Sequence, residues 1–238
     1  MAEDDDSESD APIGDLPGRS AAEAGAGIVK AGLTGVPIVG GAAAELFELV
    51  MAPSLERRRD EWLRRLGMAV EELRTRLEGF DPRDLEGNEA FVSTVIAAST
   101  IAVRTHQAEK LEMLGNAVVN AAMPNAPADY EQMTYLRLVD ELTPLHVRVL
   151  ALLADPGAWF DRHNITRPNI AAGAISSVVQ AGIPELSGRT DLTEQVARDL
   201  YAQGLTEVAS FHGVMSGSGV WAQRATALGR AFLSFVGL

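Results

Sequence analysis

Apolar residues recur every three or four positions along most of the chain, the spacing that places them on one face of an α-helix. The longest such segment, residues 88–123, is predicted to be one continuous helix. Apolar or small residues lie on every side of its first half, which is typical of a helix enclosed by its neighbours. We therefore expect this segment to be the central helix of a mainly α-helical protein.

Shorter amphipathic segments predict further helices. Thr143-Pro144 is a typical helix start, because proline suits the first helical position, and it opens a short apolar helix that ends before Asp155. Earlier in the chain, residues 54–78 carry an apolar stripe on an otherwise charged surface. The stripe consists of Leu55, Trp62, Leu63, Leu66, Val70, Leu73 and Leu77.

The last third of the chain has a different pattern. A helix of small residues is predicted near residues 170–181, and a second helix over residues 191–203. Two β-compatible runs, residues 208–215 and 220–224, flank the sequence SGSG and predict a β-hairpin. With a closing helix after it, this order of elements predicts a winged-helix-like unit.

Three parts are expected: an acidic tail (residues 1–23), a helical domain with a Gly-rich apolar start (24–125), and the winged-helix-like unit (126–238). The formal net charge is −13, and nearly half of it comes from seven acids against one arginine in the first 20 residues. Such a segment buries too little apolar surface to offset its ordering entropy, so we expect it to be disordered. It also lacks the basic start and apolar centre of a secretory signal.

The Gly-rich segment 24–52 has two interpretations. It has no charge between residues 31 and 44 but is too short to span a bilayer as a helix, so it is either a buried turn or a membrane-inserting element. Five arginines follow it and are candidate lipid contacts, because arginines beside an apolar segment can hold anionic headgroups. The alternative is a solvated face on which Asp60 and Glu61 pair with the last two of them. The five are Arg57, Arg58, Arg59, Arg64 and Arg65.

A second candidate site lies midway along the predicted central helix. His106 and Lys110 are one turn apart on its core-facing stripe, with Arg104 nearby. Polar groups on such a stripe need partners, so these residues either form internal hydrogen bonds or contact a ligand or protein partner. A third hypothesis is an enzyme built around His106 and Lys110.

No motif for catalysis, a cofactor or a metal is recognised, and the four histidines occur in unrelated contexts. The chain has no cysteine, which excludes disulfide and thiolate chemistry and fits a reducing compartment. We therefore expect a non-enzymatic cytoplasmic protein without a cofactor. Its 47% hydrophobic content is sufficient for an ordinary core.

Charge argues against nucleic acid as the partner of the winged-helix-like unit. The helix that would enter a groove of DNA has Asp191, Glu194 and Asp199 against Arg198, a net charge of −2. Neutralisation of phosphates supplies most of the nonspecific affinity for DNA, and this helix would oppose it. Arg224 and Arg230 near the predicted wing do not reverse that balance, so a protein partner is expected.

Several motifs resemble an uncharacterised family of bacterial helical proteins over residues 32–235. They are GVPIVGG, SLERRRDEWL, NEAFVSTV, RTHQAEKLEMLGNAVVNAA, LTPLHVRVLALL and TALGRAFLSF. More remotely, residues 88–153 are similar to the abortive-infection Abi-alpha family. The remote resemblance implies a role in phage defence, and neither resemblance carries over catalytic residues.

Two functions are therefore expected. The first is that of a cytoplasmic interaction or regulatory protein, linked to phage defence, whose C-terminal unit binds a protein. The alternative is a membrane-acting effector in which residues 24–52 insert and the arginine cluster holds headgroups. The sequence does not indicate an oligomeric state.

Overall fold

A computed structural model describes residues 47–238 of the chain. The residues divide into Met1–Ala52 and a compact unit, Pro53–Leu238, and each is described separately. In the first, only Phe47–Met51, a π-helical turn, and Ala52 fall within the described residues. The predicted acidic tail and nearly all of the Gly-rich segment lie outside them.

The described part of the chain is mainly α-helical, as predicted. Two short strands are present, β1 (Ala172–Ala174) and β2 (Val214–Ser216). The α-helices are α1 (Ala52–Arg76), α2 (Glu89–Arg104), α3 (Ala108–Ala121), α4 (Asp129–Glu141), α5 (Pro144–Ala154), α6 (Pro156–Arg162), α7 (Ile175–Gly182), α8 (Thr190–Ala202), α9 (Gly217–Val220) and α10 (Ala227–Phe235).

The prediction of one continuous helix over residues 88–123 is wrong. Thr105 is extended (φ −101°, ψ 151°), and the chain turns there from α2 into α3, which pack against each other. A straight helix of this length would be roughly 54 Å long. A compact unit of this size is only about 40 Å across. Folding back allows both halves to be buried, as Ala102 and Leu114 show.

Helix α1 packs antiparallel to α2. Trp62 Nε1 donates a hydrogen bond of 2.8 Å to Ser99 Oγ, and Arg58 donates to the carbonyl of Val103. Trp62 and Leu73 of the predicted stripe are buried. Leu63 does not belong to it, because 52% of this residue is exposed.

The β-hairpin predicted at residues 208–224 is also wrong. Strand β2 pairs antiparallel with β1, so that Gly173 lies opposite Met215. Ser216 caps α9 by accepting a hydrogen bond from the Gly219 amide, so SGSG starts a helical turn. Thr206 and Ala225 form an isolated antiparallel bridge, which joins the two ends of the segment that contains β2.

One hydrophobic core extends through Pro53–Leu238. The domain boundary expected at residues 125 and 126 falls inside this unit. Helix α10 returns to the earlier helices, and its Phe235 ring lies 5.2 Å from that of Tyr135. Asn116 and Asn120 of α3 donate to the last carbonyls of α10, at Val236 (3.0 Å) and Phe235 (2.9 Å). These bonds satisfy acceptors that have no partner within the helix.

Candidate functional site

The turn between α2 and α3 contains the first set of predicted site residues. Arg104 is the last residue of α2, His106 lies in the turn, and Lys110 lies in the first turn of α3. His106 is exposed and Lys110 is buried. The break between the helices therefore separates the two residues that were predicted to share one stripe.

Arg104 and Lys110 instead converge on Asp140, near the C-terminus of α4. Lys110 Nζ donates to the Asp140 carbonyl at 2.9 Å, and Arg104 Nη2 lies 2.7 Å from Asp140 Oδ2. The last carbonyls of a helix have no partner within it and carry its negative dipole end. Lys110 thus caps α4, and Arg104 pairs with the side chain of the same aspartate.

Burial lowers the pKa of Lys110 below its usual value of 10.5, and the nearby Arg104 cation lowers it further. The Asp140 carboxylate acts in the opposite direction. Lys110 Nζ is bonded to a helix carbonyl, and His106 is exposed in the turn. The contacts therefore favour the structural interpretation of this cluster over a catalytic pair.

The arginines of α1 are partly engaged within the compact unit. Arg64 and Arg65 both pair with Glu61, and the hydrogen bond from Arg64 is the main cause that lowers the pKa of Glu61. The predicted pairing thus uses Glu61 and not Asp60. The half-buried Arg58 donates to carbonyls at the end of α2. The exposed members of the cluster are Arg57, Arg59 and Arg64.

The LTPLH motif connects α5 to α8. His146 Nδ1 lies 2.7 Å from Thr143 Oγ1, and His146 Nε2 lies 3.2 Å from Asp199 Oδ2. Asp199 also accepts a hydrogen bond from Gln195. One imidazole therefore completes the N-terminus of α5 and holds α8 in place. The Thr-Pro helix start indicates in the sequence that His146 lies in the first turn of α5. The contact with Asp199, 53 residues away, has no signal in the sequence.

A second histidine contacts α8 from the loop before β2. His212 Nε2 lies 3.6 Å from Glu194 Oε1, and His212 Nδ1 lies 3.5 Å from Ser176 Oγ. The same Glu194 oxygen accepts the Phe211 amide at 2.9 Å. Sequence analysis missed this cluster, because its members come from three separate segments of the chain.

The exposed side of α8 is less acidic than the formal charge of the helix indicates. Glu194 and Asp199 are held in the contacts just described, whereas Asp191, Arg198 and Tyr201 are exposed. Arg198 Nη2 donates to Gln195 Oε1 at 2.8 Å. This side of the helix therefore presents a mixed polar and aromatic surface.

A groove of about 260 Å³ lies between α3, α5 and α6, with residues 236–238 at its edge. Trp159 and Met113 line it together with charged side chains from both walls. The sequence pattern did not predict it, because its residues come from three distant parts of the chain: α3, the consecutive helices α5 and α6, and residues 236–238.

Among residues 47–238, no three His, Cys, Asp or Glu side chains are grouped to hold a metal ion. Within the same range no helix has the length and apolar character needed to cross a membrane. No family model matches the chain, and no match was found among curated proteins or solved structures.

Proposed function

We propose that the protein is a non-enzymatic interaction or regulatory protein of the cytoplasm, and that residues 126–238 form a winged-helix-like unit that binds a protein. The order of elements supports the winged-helix-like character. Strand β1 leads directly into α7, α8 follows after a short connection, and the Thr206–Ala225 bridge joins the chain segments that come after α8. In this arrangement α8 occupies the recognition-helix position.

Charge supports a protein partner over nucleic acid. Ten of the 33 acids and two of the 20 bases precede Pro53, so Pro53–Leu238 has a formal charge of −5. Helix α8 itself has a net charge of −2. A surface of this sign gains little from the release of counterions that drives binding to DNA.

The exposed side chains of α8 carry the proposal. Arg198 and Tyr201 are three residues apart and therefore lie on one side of the helix. About half of Tyr201 is exposed (51%), so this aromatic residue is accessible to a partner. Arginine and tyrosine are enriched at protein interfaces and among the residues that dominate binding energy.

Site-specific photo-crosslinking in cells tests the proposal. A photoreactive residue at position 198 or 201 is expected to capture the same protein, and one at the exposed position 59 of α1 is expected not to. The captured protein should be lost when Arg198→Ala and Tyr201→Ala are combined. Equal capture from positions 59 and 198 would contradict the proposal.

A DNA titration provides the complementary test. We expect the full chain to show weak binding to duplex DNA at about 50 mM salt and none at about 150 mM, as phosphate contacts weaken steeply with salt. Tight, sequence-selective binding at the higher salt concentration would contradict the protein partner and indicate that DNA is the partner.

The similarity of residues 88–153 to the Abi-alpha family extends the proposal to phage defence. A host that expresses the chain is expected to survive phage challenge better than one with an empty vector. The Arg198→Ala/Tyr201→Ala variant should lose this protection at unchanged protein level. No protection by the wild-type chain would remove this part of the proposal but leave the protein contact in place.

One observation favours the alternative, a membrane-acting effector. Leu49, Val50 and Met51 lie at the end of the Gly-rich segment and are exposed by 69%, 53% and 47%. Exposed consecutive apolar residues are typical of surfaces that meet a partner or a lipid phase. Flotation with anionic liposomes that persists at high salt, and is lost when these three residues are changed to serine, would favour this function.

A further inference from the structure

The groove between α3, α5 and α6 combines an apolar floor with walls of opposite charge. Its volume of about 260 Å³ is slightly below the roughly 300–1,000 Å³ of pockets that enclose drug-sized ligands. It therefore suits a smaller molecule, about the size of one amino acid.

The floor of the groove is apolar and held in place. Met113, Val147 and Trp159 line it and are almost fully buried. The indole Nε1 of Trp159 donates to the Gly182 carbonyl at 3.0 Å, and its ring stacks on His163 with a centroid distance of 3.9 Å. Only 7% of Trp159 is exposed, so an apolar group contacts the small part of this fixed residue that faces the groove.

The two walls carry opposite charges. Glu109 and Glu112 line the groove from α3, while Arg148 and Arg162 line it from α5 and α6. Arg148 donates to Glu185 through Nη1 at 2.8 Å, but its Nε is buried without a hydrogen-bond partner among the described residues. The guanidinium group of Arg148 is therefore only partly paired.

We propose that this groove binds a zwitterionic α-amino acid with a large apolar side chain, a property that goes beyond the proposed protein contact. The ammonium group pairs with the α3 wall, the carboxylate with the two arginines, and the side chain covers Trp159 and Met113. A ligand with only one charge meets a like charge on one wall, and a neutral apolar ligand leaves both walls unpaired.

The test is an NMR titration of the full chain labelled at the methionine methyl groups, with the Met113 signal assigned through Met113→Leu. L-phenylalanine is expected to shift the Met113 signal to saturation. Phenethylamine and 3-phenylpropionate, which each lack one of its charges, are expected to bind at least about tenfold more weakly, because each loses a charge-assisted hydrogen bond. Absence of a saturable shift with L-phenylalanine would overturn the proposal.

Two charge variants assign the walls. Arg162→Gln should weaken binding of L-phenylalanine and 3-phenylpropionate but not of phenethylamine. Glu112→Gln should weaken binding of L-phenylalanine and phenethylamine but not of 3-phenylpropionate. Arg189→Gln, an exposed arginine that does not line the groove, is the matched control. Equal binding of all three ligands, or an equal effect of Arg189→Gln, would show that opposite charges on the walls do not select the ligand.

Discussion

The ammonium group of Lys110 donates a hydrogen bond of 2.9 Å to the main-chain carbonyl of Asp140, 30 residues further along the chain. Only 9% of Lys110 is exposed, so a buried cation closes the C-terminus of α4. Arg104, from the other side of the α2–α3 turn, binds the Asp140 carboxylate at the surface. The turn thus directs two cations to one helix end, and their contributions to stability should differ.

Removal of the buried cation is expected to cost more than removal of the exposed one. Lys110→Ala leaves a helix carbonyl without its partner and opens space in the core, which should lower the free energy of unfolding by about 2–3 kcal/mol. Arg104→Ala breaks a solvent-screened pair and should cost less than about 1 kcal/mol. Urea unfolding of both variants measures the difference. Equal losses would show that Lys110 does not cap α4.

Lys110 also predicts how stability changes at alkaline pH. Because burial lowers its pKa in the folded state, the unfolded chain binds this proton more tightly than the folded chain. Between the lowered pKa and 10.5 the unfolded state therefore holds more protons, and stability rises with pH. The free energy of unfolding of the wild type, relative to Lys110→Met, should increase across this alkaline range. Because Arg104 makes the smallest contribution to this pKa shift, the same comparison with Arg104→Met should show a smaller increase. A decrease for Lys110→Met would contradict the direction of the shift.

Local signals in the sequence predicted several helix ends correctly. Thr143-Pro144 starts α5 as predicted. The predicted closing helix is α10, and Thr226 caps it by accepting a hydrogen bond from the Gly229 amide. Such signals act within one turn of helix, so they can be recognised in the sequence without knowledge of the fold.

The errors arose where distant contacts decide the structure. The turn at residues 105–107 contains neither glycine nor proline, and only packing of α2 on α3 reveals it. Ser216 and its glycines fit both a hairpin turn and a helix cap, and pairing of β2 with β1, about 40 residues earlier, selects the cap. The contact of Lys110 with the Asp140 carbonyl was not predicted either, because the two residues are distant in the sequence.

Replacement by alanine should have opposite effects on stability at two helical glycines. A Cβ atom at Gly229 would lie 2.4 Å from the main-chain oxygen of Leu205, which cannot move without disturbing the Thr206 bridge. Gly229→Ala should therefore cost about 1–3 kcal/mol. A Cβ atom at Gly115, in α3, meets nothing within 4 Å, and Gly115→Ala should add about 0.4–1 kcal/mol. Thermal unfolding compares the two, and destabilisation by Gly115→Ala would show that α3 is packed more closely at this point.

Ser176, His212 and Glu194 bring a hydroxyl, an imidazole and a carboxylate together, as in a nucleophilic triad. Their geometry favours a structural role. Ser176 is only 7% exposed, and 3.5 Å from its Oγ to His212 Nδ1 is at the limit of a hydrogen bond. Glu194 Oε1 is closer to the Phe211 amide than to the imidazole. The cluster therefore fastens the loop before β2 to α7 and α8.

This role predicts that Ser176 does not react as a nucleophile. A fluorophosphonate probe should label the wild-type chain no more than Ser176→Ala, because the hydroxyl is buried and lacks a closely bound base. Glu194→Ala should instead speed hydrogen exchange at the Phe211 amide, which loses its acceptor, and Glu207→Ala, an exposed acid nearby, should not. Labelling that is lost in both Ser176→Ala and His212→Ala would contradict the structural role and revive the enzyme hypothesis at this cluster.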